Sequence, residues 1–341
     1  MLESKNSVAH VLPSMNFGGV EVAISKSFRT LNQDFDYKVY YVKEHGTINV
    51  NQLPVFELFK NILKGSNYPD ILLTSLWWGH LVGIFLYPFR IKWVCFIHST
   101  GYSSIFDKFV TKLALILCDN HIFDSESSRV HFDSFQNHNN FVVPYIFTNY
   151  DELKNFNHNP QFTFSWVGRN SKEKRLDLLV KFITSMIDRD VSFLINICIA
   201  GESYSPLDNL AIKYKESIVI QYNIPPQHVN LIHKNSKISL CFSDYEGFSA
   251  STAEAALQGN LICARKIGEL PNYLCNKNTI WLDDLSNYAW RNFILRVEDC
   301  IKDEVKFLER RAKSQKYTNN LLGKRSYISS LSTILKKLCD A

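Results

Sequence analysis

Residues 238–265 have the sequence ISLCFSDYEGFSASTAEAALQGNLICAR. The first six residues are mostly apolar and predict a buried strand, and the last six predict a second one. Between them, residues 251–258 predict a short Ala-rich helix. Gly259 suits the position just past its C-terminus. Two buried strands joined through a helix are typical of a parallel βαβ unit, so the stretch predicts an α/β fold.

The same alternation continues on both sides of this stretch. In the first half, strands are predicted at 8–13, 37–42, 69–75, 92–98, 120–125 and 140–145. In the second half, they are predicted at 162–168, 192–201, 217–222, 238–243, 260–265 and 279–283. Helical patterns lie between them, as at 53–65 and 106–118. This order predicts parallel sheets with helices on both faces.

A polar, Asn-rich segment at 146–160 interrupts the alternation and ends in proline. It predicts a boundary between two Rossmann-like αβα domains, at 1–150 and 151–341, with C-terminal helices that could pack back on the first domain. Ligands of such folds bind beyond the carboxyl ends of the strands. We therefore expect a site in a central cleft that both domains face.

Composition limits the classes of protein. The chain has 341 residues, 46% hydrophobic and 21% charged, which is typical of a globular protein. A net charge of +5 favours nucleotides, phosphates or an anionic membrane face as partners. The basic residues are spread out, without the dense block expected of a nucleic-acid-binding arm.

The eight cysteines lack a CxxC spacing, and most lie in apolar runs. We interpret them as buried thiols in a reducing compartment. The N-terminus lacks a signal-peptide pattern, and no apolar run reaches the length of about 18 residues that a transmembrane helix needs. The expected location is the cytoplasm, with peripheral contact at the inner face of the cell membrane left open.

Two glycines, Gly18 and Gly19, follow the first predicted strand and precede a helix. They would let the backbone approach a ligand, and the free amides of the helix start can bind an anion. The spacing is not the GxGxxG fingerprint, which disfavours a dehydrogenase. A tight turn without a ligand is an equally good interpretation of these residues alone.

Basic residues cluster where the strand at 162–168 ends, with Arg169, Lys172, Lys174 and Arg175 before a helix. Cations are unfavourable at a helix N-terminus, so their presence favours a bound anion such as a diphosphate. The alternative is a solvated basic helix start.

Three further side chains are candidates. Glu246 lies in the loop after a strand, where a carboxylate can accept hydrogen bonds from sugar hydroxyl groups. Glu254 stands three residues after Ser251, a spacing that also predicts a capping box. His98 ends an apolar strand of the first domain, where it could position a hydroxyl group or stabilise charge. A structural role for His98 is about as good an interpretation, and His80, His121 and His131 are interpreted as structural or exposed.

Taken in order, these motifs resemble the retaining glycosyltransferases of family 4, with the GT-B fold, over about residues 8–320. Five motifs carry the resemblance: Gly18-Gly19-Val20-Glu21, PDILLTSLWWGH with the strand-ending His98, FDSESSRV, Val167-Gly168-Arg169 with Lys174, and Glu246 with Glu254.

The resemblance implies roles for these residues. Arg169 and Lys174 would hold the donor diphosphate, Glu246 would contact the transferred sugar, and Glu254 would bind the ribose. His98 would lie near the sugar and the acceptor, and no metal would be needed. Amides lining the donor would come from Gly18, Gly19, Gly247, Phe248, Ser249 and Ala250. The implied reaction moves a sugar from a nucleotide sugar to a saccharide or lipid-linked saccharide, as in bacterial capsule, O-antigen or lipopolysaccharide synthesis.

The chain departs from the family pattern at three positions. Ser249 and Glu269 stand where glycine is usual, and Asn260 stands where proline is usual. Ser249 and Glu269 border the expected donor site, which puts the identity of the donor in doubt more than activity. A GT-B nucleotide-sugar epimerase and a non-catalytic nucleotide-sugar-binding scaffold are the alternatives. An epimerase would form product without an acceptor.

Overall fold

The computed structural model describes residues 5–16, 18–44, 46, 50–65, 68–132, 139–147, 162–323 and 326–340. Contacts divide the chain into two compact units, Met1–Phe147 with Arg325–Ala341, and Thr148–Lys324. Most of the segment expected at the boundary, residues 148–160, lies outside the described residues.

The first unit is built on a seven-stranded parallel sheet with the order β3-β2-β1-β4-β5-β6-β7. Its strands are β1 (Ser7–Leu12), β2 (Asp36–Tyr41), β3 (Gln52–Pro54), β4 (Ile71–Ser75), β5 (Trp93–Ile97), β6 (Asn120–Phe123) and β7 (Asn139–Val142). Its helices are α1 (Gly19–Asp34), α2 (Val55–Leu63), α3 (Leu76–Leu86), α4 (Ile105–Leu117) and α5 (Glu126–His131).

The second unit has a six-stranded parallel sheet with the order β10-β9-β8-β11-β12-β13. Its strands are β8 (Phe162–Arg169), β9 (Phe193–Ala200), β10 (Ile218–Tyr222), β11 (Ile238–Cys241), β12 (Leu261–Arg265) and β13 (Ile280–Leu282). Its helices are α6 (Leu176–Ile187), α7 (Ser205–Lys213), α8 (Pro226–Asn235), α9 (Ala250–Leu257), α10 (Leu270–Tyr273), α11 (Asn287–Lys302) and α12 (Glu304–Leu322).

The last helix, α13 (Tyr327–Asp340), belongs to the first unit. It packs against α1, where the hydroxyl of Ser332 donates to Asp34 and the ammonium of Lys336 lies 3.1 Å from the same carboxylate. Tyr327 stacks on Phe96 of β5, with 6.3 Å between ring centroids. The chain therefore returns to its first sheet after completing the second.

Burial explains why the strands form. All five residues of β4 and of β5 are buried, because helices cover both faces of a parallel sheet. Successive residues of β5 point to opposite faces of the sheet, so Cys95 and Ile97 enter the core beneath α2, α3 and α4, whereas Phe96 contacts Tyr327 of α13. In the second unit, α6 and α11 cover one face of the sheet, with Phe182 and Phe293 fully buried.

Candidate active site

Strand order brings two loops of the second unit together. β8 and β11 are parallel neighbours, so their carboxyl ends lie side by side. The chain after β8 forms a short 3₁₀ turn at Lys172–Lys174, and the chain after β11 leads into α9. The amide of Asp244 donates to the carbonyl of Glu173 at 2.8 Å and holds the loops in register.

Lys174 and Glu246 meet at this junction. The ammonium Nζ of Lys174 lies 2.5 Å from Oε1 of Glu246, and the hydroxyl of Ser243 donates to the same oxygen at 2.7 Å. Burial alone would lower the pKa of Lys174, but the charge of Glu246 and the hydrogen bond to it outweigh burial and raise that pKa above its usual value. The lysine is therefore a cation that a diphosphate could bind in competition with Glu246.

Arg169 is the last residue of β8, and 54% of its side chain is exposed. Its guanidinium lies 3.5 Å from Glu173, whose carboxylate also accepts a hydrogen bond from Ser171. Because Arg169 is more than half exposed and the two charges are 3.5 Å apart, the pair stabilises little. The planar fork of Arg169 is thus available to an anion at the end of β8.

Arg175 has a different role from the one that the sequence indicates. It adopts a left-handed backbone with φ 51° just before α6, and its guanidinium binds Asp177 and Asp244. The hydrogen bonds to Asp177 and then Asp244 raise the pKa of Arg175. Carboxylates of the protein therefore balance this cation at the helix start, and Arg175 gives no support for a bound anion.

Asp244 also binds the guanidinium of Arg265 at the end of β12, and Arg265 donates to the carbonyl of Ser243 at 3.1 Å. Asp244 thus bridges two arginines, Arg175 just before α6 and Arg265 at the end of β12. Sequence analysis missed Asp177, Asp244 and Arg265. For two of them a signal was available: Asp244 directly follows the strand predicted at 238–243, and Arg265 is the last residue of the strand predicted at 260–265.

Contacts with Tyr273 fix the loop from Gly247 to Ala250. Phe248 is 2% exposed and packs on Tyr273, with 5.3 Å between ring centroids. The hydroxyl of Tyr273 donates to the carbonyl oxygens of Phe248 and Ser249 at 3.1 and 3.3 Å. Phe248 can therefore contribute only backbone groups to a ligand. Nothing in the sequence singled out Tyr273.

The start of α9 corrects one prediction. The helix begins at Ala250, and Ser249 precedes it with a left-handed backbone, φ 57°. Ser251 therefore lies inside the first turn and is not the N-cap, so the predicted capping box with Glu254 is wrong. Glu254 is a half-buried residue of the helix interior. The expectation for Gly259 is confirmed, since it follows the helix with φ 86°.

Gly268 makes a close approach to the same loop. With φ 49°, a side chain there would be strained, and a Cβ would lie 2.3 Å from the carbonyl oxygen of Glu246. The next amide, of Glu269, donates to the carbonyl of Gly247 at 3.0 Å. Glu269, which stands where glycine is usual in the family pattern, therefore lies directly against Gly247.

In the first unit, Gly18 precedes α1 and Gly19 is its first residue. A Cβ at Gly18 would lie 2.3 Å from a carboxylate oxygen of the mostly buried Glu21, whereas a Cβ at Gly19 would meet open space. A larger residue at 18 would therefore displace the Glu21 carboxylate, and Gly19 is the more exposed of the two glycines.

His98 follows β5 and is enclosed by aromatic rings. Its ring lies 4.2 Å from Phe96 and 5.7 Å from Tyr145, and Nδ1 hydrogen-bonds to the hydroxyl of Tyr145. Nε2 is buried and has no hydrogen-bond partner among the described residues. Burial, with His10 and His80 nearby, holds the pKa of His98 well below its usual value. The imidazole is thus neutral at pH 7. It can donate or accept a hydrogen bond but cannot supply positive charge.

Comparisons with known proteins agree with this architecture. The two parallel α/β units have the GT-B fold of glycosyltransferases. Residues 149–320, just over half of the chain, match the family described as glycosyl transferases group 1. The chain belongs to this family of glycosyltransferases. No curated protein matches it by sequence.

Several solved structures are similar to nearly the whole chain. Sucrose-phosphate synthase from Thermosynechococcus elongatus has a TM-score of 0.75 and 14% identity, with 98% of this chain and 99% of that chain covered. Anabaena Alr3699/HepE, in complex with UDP-glucose, has a TM-score of 0.72 and 13% identity, with 98% and 99% covered. A variant of S. aureus TarM, in complex with UDP and two saccharide ligands, has a TM-score of 0.73 and 12% identity, with 98% and 100% covered.

Among the described residues, no helix combines the length and the apolar character needed to span a bilayer. In the same part of the chain, no group of three or more His, Cys, Asp or Glu side chains is placed to hold a metal ion.

Proposed function

We propose that this protein is a retaining glycosyltransferase of family 4 that moves a sugar from a nucleotide sugar to a saccharide or lipid-linked saccharide. The observation that carries the proposal is the pair of Lys174 and Glu246 at the carboxyl ends of neighbouring parallel strands, within a chain of the glycosyl transferases group 1 family.

In the proposal, the second unit binds the donor. Lys174 and Arg169 bind the diphosphate, and the amides from Gly247 to Ala250 at the start of α9 add partial positive charge. These groups stabilise the charge that develops on the leaving nucleotide, a role that needs cations positioned before the reaction. Glu254, within α9, binds the ribose hydroxyl groups.

Glu246 contacts the transferred sugar. Its Oε1 is occupied by Lys174 and Ser243, so diphosphate binding to Lys174 would weaken that pair and let the carboxylate accept hydrogen bonds from sugar hydroxyl groups. The acceptor hydroxyl then attacks the anomeric carbon on the face that the diphosphate leaves, and a phosphate oxygen takes its proton. His98, Gly18 and Gly19 of the first unit are proposed to contact the sugar and the acceptor.

Solved structures of similar fold guide the choice of donor. The Anabaena protein was solved with UDP-glucose and the TarM variant with UDP, so uridine nucleotides are the first to test. We propose a role in bacterial surface polysaccharide synthesis, in the cytoplasm and in peripheral contact with the inner face of the membrane, where lipid-linked acceptors are found.

The test is thermal unfolding against a panel of nucleotides and nucleotide sugars. A ligand at 100 times its Kd adds about 2.7 kcal/mol to the free energy of unfolding. We expect one nucleotide class to raise Tm in the wild type, and K174A and E254A to lose most of that rise. The control is K316A, which removes an exposed lysine of α12. If K174A retains the full rise, the proposed donor site is wrong. Transfer is then measured with and without saccharide acceptors, since product without acceptor would indicate an epimerase.

A further inference from the structure

The outer side of α4 is apolar although it faces solvent. Four large side chains there have high exposed fractions: Ile105 86%, Phe106 74%, Phe109 65% and Ile116 59%. Only the inner side of the helix, at Val110, Thr111, Ala114 and Leu115, is buried. Packing against the core therefore explains half of the helix and leaves the other half unexplained.

The exposed side chains form one stripe. At about 100° per residue, Ile105, Phe109 and Ile116 fall within about 40° of one another, and Phe106 lies within about 100° of Ile105. Exposed lysines at 108 and 112 flank the stripe on one side. A helix with this arrangement can insert its apolar stripe at a bilayer surface while its lysines reach the headgroups.

The one acidic residue of α4 is turned to the protein. Asp107 accepts hydrogen bonds from the amide and hydroxyl of Ser103, and from the hydroxyl of Thr111 at 3.0 Å. It lies about 160° around the helix from the middle of the stripe. The solvent-facing side chains of α4 are therefore apolar or positively charged.

The same character continues along the neighbouring helix. α3 packs against α4, and both cover the same face of the first sheet. At its end Phe85 is 65% exposed, Tyr87 50% and Phe89 39%. Residues 85–90, FLYPFR, contain one cation, the exposed Arg90, and no acid. The exposed apolar and basic residues of α4 and of 85–90 lie on or next to these two packed helices and are here called the α3–α4 surface.

We propose that the α3–α4 surface docks on an anionic lipid bilayer. Charge decides between the candidate occupants. A symmetric contact with a second copy would place each copy's Lys108 and Lys112 against the same basic surface, which is repulsive. An anionic bilayer complements the cations, at about fivefold in affinity for each lysine near the surface, and also accepts the aromatic and aliphatic side chains. This docking is independent of the chemistry in the second unit.

Flotation of the full chain with vesicles tests the proposal. We expect binding to vesicles that contain 30% phosphatidylglycerol in phosphatidylcholine, weak binding to pure phosphatidylcholine, and loss of binding as salt rises. K108Q/K112Q should weaken binding about twentyfold or more. F106S/F109S should abolish it, because the apolar side chains that insert are removed.

Matched controls change equally exposed residues elsewhere. I212S/V305S removes two side chains that are 78% and 70% exposed in the second unit, and K313Q/K316Q removes two exposed lysines of α12. Both should bind as the wild type does. Equal binding to neutral and anionic vesicles, or unchanged binding of F106S/F109S, would overturn the proposal. So would a wild-type dimer in sedimentation analysis that F106S/F109S dissociates, since the occupant would then be a second copy.

Discussion

The ammonium of Lys174 and the carboxylate of Glu246 lie 2.5 Å apart although 72 positions separate them in the chain. The contact follows from topology, because β8 and β11 are parallel neighbours and each side chain lies shortly after one of these strands. In this structure the positive charge of Lys174 and the negative charge of Glu246 balance each other. Ligand binding must therefore exchange one partner for another, and the first prediction concerns that exchange.

E246Q should bind a nucleoside diphosphate more tightly than the wild type at pH 7, because it removes both the competitor for Lys174 and a repulsive charge near the phosphates. Sugar transfer should fall by about a hundredfold or more, since contact with the transferred sugar is lost. Glu246 raises the pKa of Lys174. In E246Q that pKa falls, so diphosphate affinity should decline at a lower alkaline pH than in the wild type.

Calorimetric titration with UDP between pH 7 and 10 measures this shift, with E309Q on α12 as the control for loss of an exposed carboxylate. Weaker UDP binding by E246Q at pH 7 would show that Glu246 supports the diphosphate and does not compete for Lys174.

S249G should stabilise the protein. Ser249 holds φ 57°, which costs a non-glycine residue about 1 kcal/mol or more, while its hydroxyl recovers part of that through Thr252 at 3.0 Å. We expect Tm to rise by about 2 °C. S249A keeps the strain and loses the hydrogen bond, so it should lower Tm.

N223G is the contrast to S249G. Asn223 has φ 51°, but its side chain accepts from the amide of Gly201 at 2.8 Å and donates to its carbonyl at 3.2 Å. Glycine there should lower Tm. If both glycine variants shift Tm in the same direction, the side-chain hydrogen bonds of Asn223 are not what distinguishes the two positions.

The strands are largely predictable from sequence. Because helices cover both faces of each sheet, the strands read as continuous apolar runs, and those predicted at 92–98 and 238–243 are observed at Trp93–Ile97 and Ile238–Cys241. α3 is harder to recognise. Its sequence is apolar all round, so it lacks a helical period and follows β4 without a polar break.

The charged residues of the candidate site can be predicted from the sequence, but the ion pairs between them cannot. Lys174 and Glu246 are recognisable because each follows a strand, yet their contact depends on the order of strands in the sheet. The start of α9 differs from the prediction because its N-cap, Ser249, has a left-handed backbone and makes no side-chain capping hydrogen bond, so the spacing of Ser251 and Glu254 does not mark the helix start. Tyr273 contacts this loop from a distant part of the chain, and no local sequence pattern identifies it.

Stability should fall as the pH falls below about 6.5. Burial lowers the pKa of His10 and His80 to about 3 and that of His233 to about 4, whereas in the unfolded chain they titrate near 6.5. Between these values the unfolded state binds more protons than the folded state. Each histidine should therefore remove about 1 kcal/mol of stability per pH unit lowered, and the contribution is fully present above pH 6.5.

H233L should flatten this dependence. His233 is fully buried, its Nδ1 lies 3.5 Å from the hydroxyl of Ser165, and its Nε2 has no hydrogen-bond partner among the described residues. Urea unfolding at pH 7 and pH 5 gives the change in free energy. The control is H228L, at an exposed position of the same helix. An unchanged pH dependence in H233L would mean that this histidine is already protonated in the folded state.

R311M should weaken nucleotide binding although Arg311 does not contact the nucleotide. Arg311 is 3% exposed and its Nε donates to the carbonyl of Gly259 at 2.7 Å, just past the C-terminus of α9. Burial lowers its pKa to about 10, so it is still a cation at pH 7, favourably placed at a helix C-terminus. The other end of α9 carries Ala250 of the proposed donor loop. Losing the hydrogen bond from Arg311 to Gly259 should lower the free energy of unfolding by about 1–3 kcal/mol and let α9 shift.

The control for R311M is R310M. The guanidinium of Arg310 binds Cys300 and the carbonyl of Asn278, away from α9. Both variants should lower Tm, but only R311M should raise the Kd for the stabilising nucleotide, measured well below either Tm. Because the two changes are alike in charge and size, unequal affinity would identify Arg311 as a positioning residue for α9. Equal affinity would limit its role to stability.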